Sequence, residues 1–262
     1  MFTVNPFSEL SGLISPLAMQ LYVIAMILLV IGGTVLDMIH KKSAEYFFRN
    51  AEKARAEASR KVSVVKKSSI AVTTVAVDVL TSGEFCNQRR RLAHLLTMYG
   101  FILFAATTAI MIFGYIGAQT PIILPLLWHL GALMLCVGGY WFWFFIRVDV
   151  AAEGNPWYRV VRADLFILSL LATATIALDW SFMQAVGASS LSMLFFSLFI
   201  LSSTVLFGGV LWSKFAHMFF KPAAAFQKRV AKADGSRDGL PEPADKPEQF
   251  GPGIKRLLPK NY

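Results

Sequence analysis

The chain has 262 residues, and 56% of them are hydrophobic, including 22 phenylalanines. That apolar content exceeds what a water-soluble core of this size hides. The net charge of +9 could indicate a nucleic-acid-binding protein, but the cations lie in blocks between long apolar stretches. The sequence carries no nucleotide-binding loop, zinc-protease helix or nucleophile elbow. We therefore expect an all-α, multi-pass membrane protein that does not bind nucleic acid.

Five apolar stretches are long enough to cross a bilayer as helices. They are Pro16–Asp37, Leu95–Ile116, Pro121–Ile146, a fourth whose wholly apolar part is Leu165–Leu178, and Ser189–Trp212. The fourth is short, and we expect the residues that flank it, which include Arg159, Arg162, Asp164, Asp179 and Trp180, to complete it. The chain then divides into an N-terminal segment with the first span (1–40), a basic loop (41–91), a four-helix region (92–217) and a tail (218–262).

The positions of Lys and Arg predict the orientation in the membrane. Twelve lie within residues 41–91, three are Arg147, Arg159 and Arg162, and ten follow from Lys214 onward, which accounts for all 25. Because basic loops stay inside, we expect the N-terminus outside and the C-terminus in the cytoplasm of a bacterium, with the spans in its inner membrane. The first span has no basic leader and no small-residue cleavage site, so we interpret it as a retained helix rather than a signal peptide.

The segments outside the spans are basic and partly apolar. Ala44–Lys67 has the composition of a helix on or just above the membrane, and Ile70–Leu80 fits either a strand or a segment that lies against lipid or a partner. Pro222–Lys232 is a short helix candidate. The Gly- and Pro-rich tail beyond it is either disordered or an arm that orders on a soluble partner, with Phe250 and Leu257–Leu258 as its apolar anchors.

Three of the four histidines lie near the expected cytoplasmic edge, namely His40, His94 and His217. Two neutral imidazoles at equal depth on antiparallel helices can ligate a b-type haem from its two faces. His94 and His217 meet the depth condition, and His40 is an alternative ligand. The plain alternative is that histidines at a membrane interface have no ligand role.

Two cations stand close to this pair, and the fourth histidine lies apart. Arg91 precedes His94 and Lys214 precedes His217 by three residues each, so both cations can pair with haem propionates. His129 precedes Arg147 by 18 residues, roughly 27 Å along a helix, which places it near the outer edge. We interpret His129 as a hydrogen-bonding residue of the bundle, with a quinone contact as the alternative.

The segments RRRLAHLLTMYGF (Arg89–Phe101) and WSKFAHMFFKP (Trp212–Pro222) resemble the two haem-bearing segments of the respiratory nitrate reductase gamma-subunit superfamily. Proteins of that group have five spans with the N-terminus outside. LTSGEFCNQRRRLAHLLTMYGF and RVDVAAEGNPWYRVVRADLF (Arg147–Phe166) resemble the membrane part of the quinone-interacting oxidoreductase subunit QmoC. A chain without the iron–sulfur region of QmoC resembles the AprM-type membrane anchors of adenylylsulfate (APS) reductase. The similarity covers Arg89–Pro222, about half the chain.

The resemblance also contains a departure from the family. Nitrate reductase gamma subunits hold two haems with two ligands on each of the second and fifth spans, and the second-haem positions here are Phe104 and Phe199. The resemblance therefore implies one haem b, ligated by His94 and His217. Cys86 and Cys136 are too few for an iron–sulfur cluster, so any such cluster belongs to a partner.

These observations predict a non-catalytic electron-transfer subunit that anchors a cytoplasmic iron–sulfur/flavin oxidoreductase. The candidate partner is APS reductase, an enzyme of sulfur metabolism. The subunit would pass electrons between that partner and membrane quinone. Candidate quinone contacts on the cytoplasmic side are Tyr99, Asp149 and His40. A haem-free scaffold is the alternative. A small transporter is third, because the spans show neither an inverted repeat nor a charge near mid-bilayer.

Overall fold

The computed structural model describes residues 2–41, 43–56, 58–83, 85, 87–210 and 217–236, with the exception of the side chains of residues 41, 43, 44, 46, 149 and 217–220. All regular structure in these residues is helical, which confirms the all-α prediction. The α-helices are α1 (Pro6–Glu9), α2 (Pro16–Lys41), α3 (Ser43–Ala56), α4 (Val64–Thr73), α5 (Gln88–Gly114), α6 (Ile123–Trp141), α7 (Val148–Ala151), α8 (Leu165–Ala185), α9 (Ser189–Gly208) and α10 (His217–Asp234). Three further helical segments are π-helical Thr74–Leu80, π-helical Phe142–Ile146 and 3-10 helical Arg162–Asp164.

Five of these helices are long and apolar enough to cross a membrane, as the hydropathy pattern predicts: α2, α5, α6 with its π-helical end, α8 and α9. Their bounds differ from the apolar stretches. α5 begins at Gln88 and includes the basic run before Leu95, and α8 continues through Asp179 and Trp180 to Ala185. Trp180 is fully buried, so it extends the helix inside the bundle rather than ending it at an interface. The expected completion of the fourth span by flanking residues is confirmed.

Contacts divide the chain into two compact units. The first unit comprises Met1–Asp37 and Gln88–Ala216, and therefore most of the five long helices. The second unit comprises Met38–Asn87 and His217–Tyr262, so it joins residues of the basic loop to residues of the tail.

In the first unit α5 packs against α6, α6 against α8, and α8 against α9. The α5–α6 contact depends on glycine: a Cβ on Gly131 would lie 2.7 Å from the Phe104 amide nitrogen, and one on Gly138 would lie 2.8 Å from the Ala93 carbonyl oxygen. In a bilayer, lipid tails would be as apolar as these side chains, so close van der Waals approach would stabilise such a pair better than burial does. The two backbones therefore approach closely between Ala93 and Phe104 of α5.

α2 packs more loosely within this unit. In the most apolar 18-residue stretch of α2, 11% of the residues are buried, whereas 50% are buried in the corresponding stretch of α8. Its contacts include the Tyr22 hydroxyl, which donates to the Ile200 carbonyl at 3.1 Å, and Gly33, where a Cβ would lie 2.9 Å from Cβ of Val210. Most of the α2 surface is therefore available to lipid or to a partner helix.

The N-terminal segment closes one end of the bundle. Asn5 caps α1 by accepting from the Phe7 amide at 3.0 Å, and its side-chain nitrogen donates to Thr120 Oγ1 at 3.1 Å. Gln184 donates to the Pro6 carbonyl at 3.0 Å. The N-terminus, the α5–α6 turn and the end of α8 thus gather at one end, and none of these segments contains Lys or Arg.

The opposite end of the first unit carries its basic residues. Arg90 at the start of α5 donates to the Ile146 carbonyl at 3.2 Å, which places the α5 start beside the α6 end. The loop from α6 to α8 is organised by a buried ion pair, in which Arg147 Nη1 lies 2.8 Å from Asp164 Oδ2. Arg147 also donates to the Arg159 carbonyl at 2.7 Å and lies over the Trp143 ring at 4.0 Å. Its charge is thereby neutralised and its guanidinium is held rigidly.

The second unit is built from α3, α4 with its π-helical extension, and α10. The helix expected over Ala44–Lys67 is confirmed as far as Ala56, but its continuation is wrong across residues 58–63. There Ser59 Oγ and the Arg60 amide both donate to the Asp234 carbonyl at 3.1 Å, so the break in helix satisfies the end of α10. The strand interpretation of Ile70–Leu80 is wrong, because that segment is helical. α10 contains the predicted helix Pro222–Lys232.

We predict that Gly131→Ala destabilises the α5–α6 pair. The added methyl group meets backbone atoms of α5, which cannot rotate away, and overpacking of this kind costs about 1–3 kcal/mol. The measurement is the melting temperature of the detergent-purified protein, followed by the intrinsic fluorescence of its six tryptophans, of which Trp128 and Trp180 are fully buried.

Gly32→Ala is the matched control. It lies within α2 with no heavy atom within 4 Å of the added Cβ, and alanine favours helix by up to about 1 kcal/mol relative to glycine at both positions. Equal melting temperatures for the two variants would contradict the close contact.

Candidate functional site

The haem candidates fall in different parts of the structure. His94 is half-buried on α5, one turn after the half-buried Arg91, and both belong to the first unit. His40 is exposed in the last turn of α2, within the second unit. His217 opens α10, but its side chain, like all of Lys214, lies outside the described residues. The structure therefore brings Arg91 and His94 together, and the ligation by His94 and His217 stays a prediction.

The quinone candidates Tyr99, Asp149 and His40 lie on different helices. Tyr99 lies on α5 with 36% of its surface exposed. Asp149 lies in α7, and its side chain is outside the described residues. Cys86 and the tail anchors Phe250 and Leu257–Leu258 also lie outside them.

An aromatic cluster fills the half of the bundle nearer the N-terminal segment. Phe104 stacks on Trp128 with ring centroids 5.1 Å apart, and meets Phe199 edge-on at 6.4 Å. Trp180 stacks on Phe199 at 5.6 Å. Ring pairs in these geometries contribute about 0.5–1.5 kcal/mol each beyond the area that they bury. Phe104 and Phe199 are the positions that the family resemblance would assign to ligands of a second haem, and both are rings in direct contact.

The residues of α1 complete this cluster. Phe7 is 2% exposed, and its ring lies edge-on to Trp128 at 6.0 Å and to Trp180 at 5.3 Å. A macrocycle at this level would require the displacement of several bulky side chains. The residues in this half of the bundle do not fit a haem.

His129 is a hydrogen-bonding residue of the bundle, as predicted. Its Nδ1 lies 2.7 Å from the Pro125 carbonyl oxygen and its Nε2 lies 2.8 Å from Ser181 Oγ. The Pro125 carbonyl can only accept, so Nδ1 carries the proton and Nε2 accepts from the Ser181 hydroxyl. With both nitrogens engaged and 1% of its surface exposed, His129 ties α6 to α8.

The second unit contains a long-range ion pair that the sequence analysis did not identify. Arg229 on α10 donates from Nε to Asp78 Oδ2 at 2.6 Å and from Nη2 to Asp78 Oδ1 at 2.8 Å. The Asp78 side chain is 9% exposed. A lone carboxylate within the apolar run Ile70–Leu80 was the available signal, since such a group needs a cation when it is covered. This bidentate pair joins the basic loop to the helix that precedes the tail.

Comparison with protein-family models, curated proteins and solved structures finds no match to this chain.

We predict that Asp78→Asn loosens α10 at neutral pH but not in acid. The hydrogen bonds from Arg229 lower the pKa of the Asp78 carboxyl below its usual value of about 3.9. A carboxyl whose folded pKa is depressed contributes stability above its unfolded pKa, and that contribution is lost as the pH falls through the folded pKa. Hydrogen exchange of the α10 amides should be faster in the variant at pH 7, and the difference should shrink below about pH 4.

Wild type and variant are compared at each pH, so intrinsic exchange rates cancel. Glu45→Gln is the control, because it removes a carboxylate from the exposed pair with Arg49 on α3, where about 0.3–0.5 kcal/mol is expected. A difference between Asp78→Asn and wild type that persisted undiminished into strong acid would show that the ion pair is not its cause.

Proposed function

We propose that the chain is a five-span protein of the bacterial inner membrane, with its N-terminus outside and its C-terminus in the cytoplasm. The support is the charge distribution of the first unit. Three segments without Lys or Arg gather at one end, while Arg89–Arg91 and Arg147 occupy the other. Cations are retained on the cytoplasmic side during insertion, so the basic end is the inner one.

We further propose that the second unit holds a soluble cytoplasmic oxidoreductase at the membrane. The observation that carries this proposal is the Arg229–Asp78 pair, which joins two remote segments into one folded, basic unit. Connecting five helices requires only short loops, whereas this unit is a separate helical assembly with exposed cations on α3, α4 and α10. An iron–sulfur/flavin enzyme, with APS reductase as the candidate, is the partner that the family resemblance suggests.

In this role the membrane helices pass electrons between the partner and quinone through one haem b. His94 and His217 would be its axial ligands, with His40 as the alternative, and Arg91 and Lys214 would pair with its propionates. When bound, the haem supplies a one-electron carrier between a soluble enzyme and a two-electron quinone. The support is the family resemblance of the two histidine segments and the half-buried position of His94. Tyr99, Asp149 and His40 are the quinone candidates on the same side.

A haem-free scaffold is the second candidate. The packed contacts among Phe104, Trp128 and Phe199 favour it, because they leave the far half of the bundle without space for a carrier. In that case the helices anchor the partner and the electrons follow another subunit.

We predict that a reporter fused after Tyr262 is cytoplasmic and one fused before Met1 is not. Alkaline phosphatase and green fluorescent protein at each terminus give opposite readouts, because the first is active only outside and the second fluoresces only inside. Both termini on one side would contradict the five-span topology.

We predict one low-spin haem b for each purified chain, with His94→Ala and His217→Ala each abolishing the six-coordinate spectrum. Loss of an imidazole leaves the iron with one axial ligand or none. The measurement is a reduced-minus-oxidised difference spectrum with haem quantified per chain. His40→Ala is the control and keeps the wild-type spectrum. If His40→Ala lost it while His217→Ala did not, His40 would be the ligand; a chain purified without haem would favour the scaffold.

We predict that deleting residues 237–262 releases the partner enzyme from membranes without changing the haem spectrum. The deletion begins after Ser236 because the Asp234 carbonyl and carboxylate accept bonds from Ser59, Arg60 and Ser236, which complete α10. APS reductase activity is measured in washed membranes at low and high salt. An arm with apolar anchors resists salt in part, whereas charge-driven docking does not. Full retention of the enzyme after deletion would move the docking site to the second unit itself, with Ile70–Leu80 as the first segment to test.

A further inference from the structure

The second unit contains a groove between α3 and α10 with a volume of about 840 Å³. Its floor is apolar. Phe47 and Ala51 of α3 face Phe226 and Val230 of α10 across it, and all four side chains are only partly covered by the rest of the unit. The volume falls within the roughly 300–1,000 Å³ of sites that hold small organic ligands.

The groove is also basic. Its lining includes Arg55, Arg60, Lys61 and Lys67, and all four are exposed. The acidic lining residue is Asp234, whose carboxylate accepts from the Ser236 amide at 2.9 Å and so caps its own chain. The Arg60 amide bonds to the Asp234 carbonyl at 3.1 Å, which fixes the backbone beneath the cations. Gly235 is required at this contact, since its φ is +81° and a Cβ there would collide with Ser59.

The groove also has a direction. The ends of α3 and α10 meet where Ser59 and Arg60 bond to Asp234, and the starts of both helices line the other end through Phe47 and Ala223. Phe47 follows Lys41, the last residue of α2, by six residues. Along the chain, Phe47 is therefore the lining residue nearer to the first long apolar helix, and the end of the groove at Arg60 comes later.

We propose that this groove binds an anionic phospholipid, with its phosphate at Arg60, Lys61 and Lys67 and an acyl chain along Phe47 and Phe226. A free phosphate ion would gain nothing from the apolar floor. An acyl chain, in contrast, is removed from water when it lies on Phe47 and Phe226. The inference depends on the membrane insertion of α2 proposed above and goes beyond electron transfer and partner docking.

The test is native mass spectrometry of the full-length protein, purified in detergent and titrated with phosphatidylglycerol or phosphatidylcholine of the same acyl composition. We expect a bound phosphatidylglycerol that phosphatidylcholine does not replace. Each cation near an anionic lipid is worth about fivefold in affinity, so Lys61→Gln with Lys67→Gln should weaken binding about 30-fold. Lys228→Gln with Lys232→Gln is the matched control, since it removes the same charge from exposed positions of α10 outside the groove and should leave binding unchanged.

A second variant tests the apolar floor without changing charge. Ala51→Trp fills the groove and should abolish the bound lipid, while circular dichroism confirms that the helices persist. Three results would each overturn the proposal. They are equal losses of lipid binding in the two double variants, equal binding of both lipids, and displacement of the lipid by millimolar inorganic phosphate. If the Lys61/Lys67 double variant kept its bound lipid but its membranes lost the partner enzyme, the groove would be a protein-docking surface instead. If the chain were absent from the membrane fraction, the proposed membrane insertion itself would be refuted. If the protein were inserted in the membrane but bound no lipid, only the lipid site would be refuted.

Discussion

Backbone contact between α5 and α6 constrains what the five long helices can hold. At Gly131 and Gly138 the two helices approach so closely that an added Cβ would meet main-chain atoms, and a planar cofactor has no room between them there. A group ligated from α5 must then lie on another side of that helix. In the half of the bundle near α1 that side is closed too, because Phe104 meets Phe199 of α9 directly. His94 lies on α5 outside this aromatic half, toward the basic end, where the proposed ligation would place the haem.

Hydropathy located the five long helices because a lipid-exposed segment must satisfy its backbone internally and therefore shows itself locally. Helix ends were less predictable. Trp180 and Asp179 look like an interface in sequence, but Trp180 is buried against Phe7 and Phe199, which are distant in the chain. The break after α3 has the same origin. Residues 58–63 give up helix to bond the end of α10, a contact that spans 175 residues and has no local signature.

The residues of the candidate site, like the helices, were predictable where the signal is local and not where it depends on tertiary contacts. The interpretation of His129 required only its depth and the absence of a second histidine nearby, and it is confirmed by the bonds to Pro125 and Ser181. Phe104 and Phe199 were identified as apolar, but not as neighbours in one aromatic cluster, because ring contacts depend on the relative rotation of α5 and α9. The Arg147–Asp164 and Arg229–Asp78 pairs were missed for the same reason. Each carboxylate stands out in its own segment, yet the position of its cation is set by tertiary structure.

The closed aromatic half has a consequence for energy conversion in the proposed role. In that role, electrons from a cytoplasmic enzyme would be delivered at the basic end, since the contacting rings of Phe104, Trp128 and Phe199 fill the described part of the other half. A quinone reduced there takes its protons from the cytoplasm as well. In the proposed role, electrons and protons would then enter from the same side, and no charge would cross the bilayer. The nitrate reductase gamma subunits that the two histidine segments resemble hold two haems. With Phe104 and Phe199 at the corresponding positions, the path proposed for this chain would be one-sided.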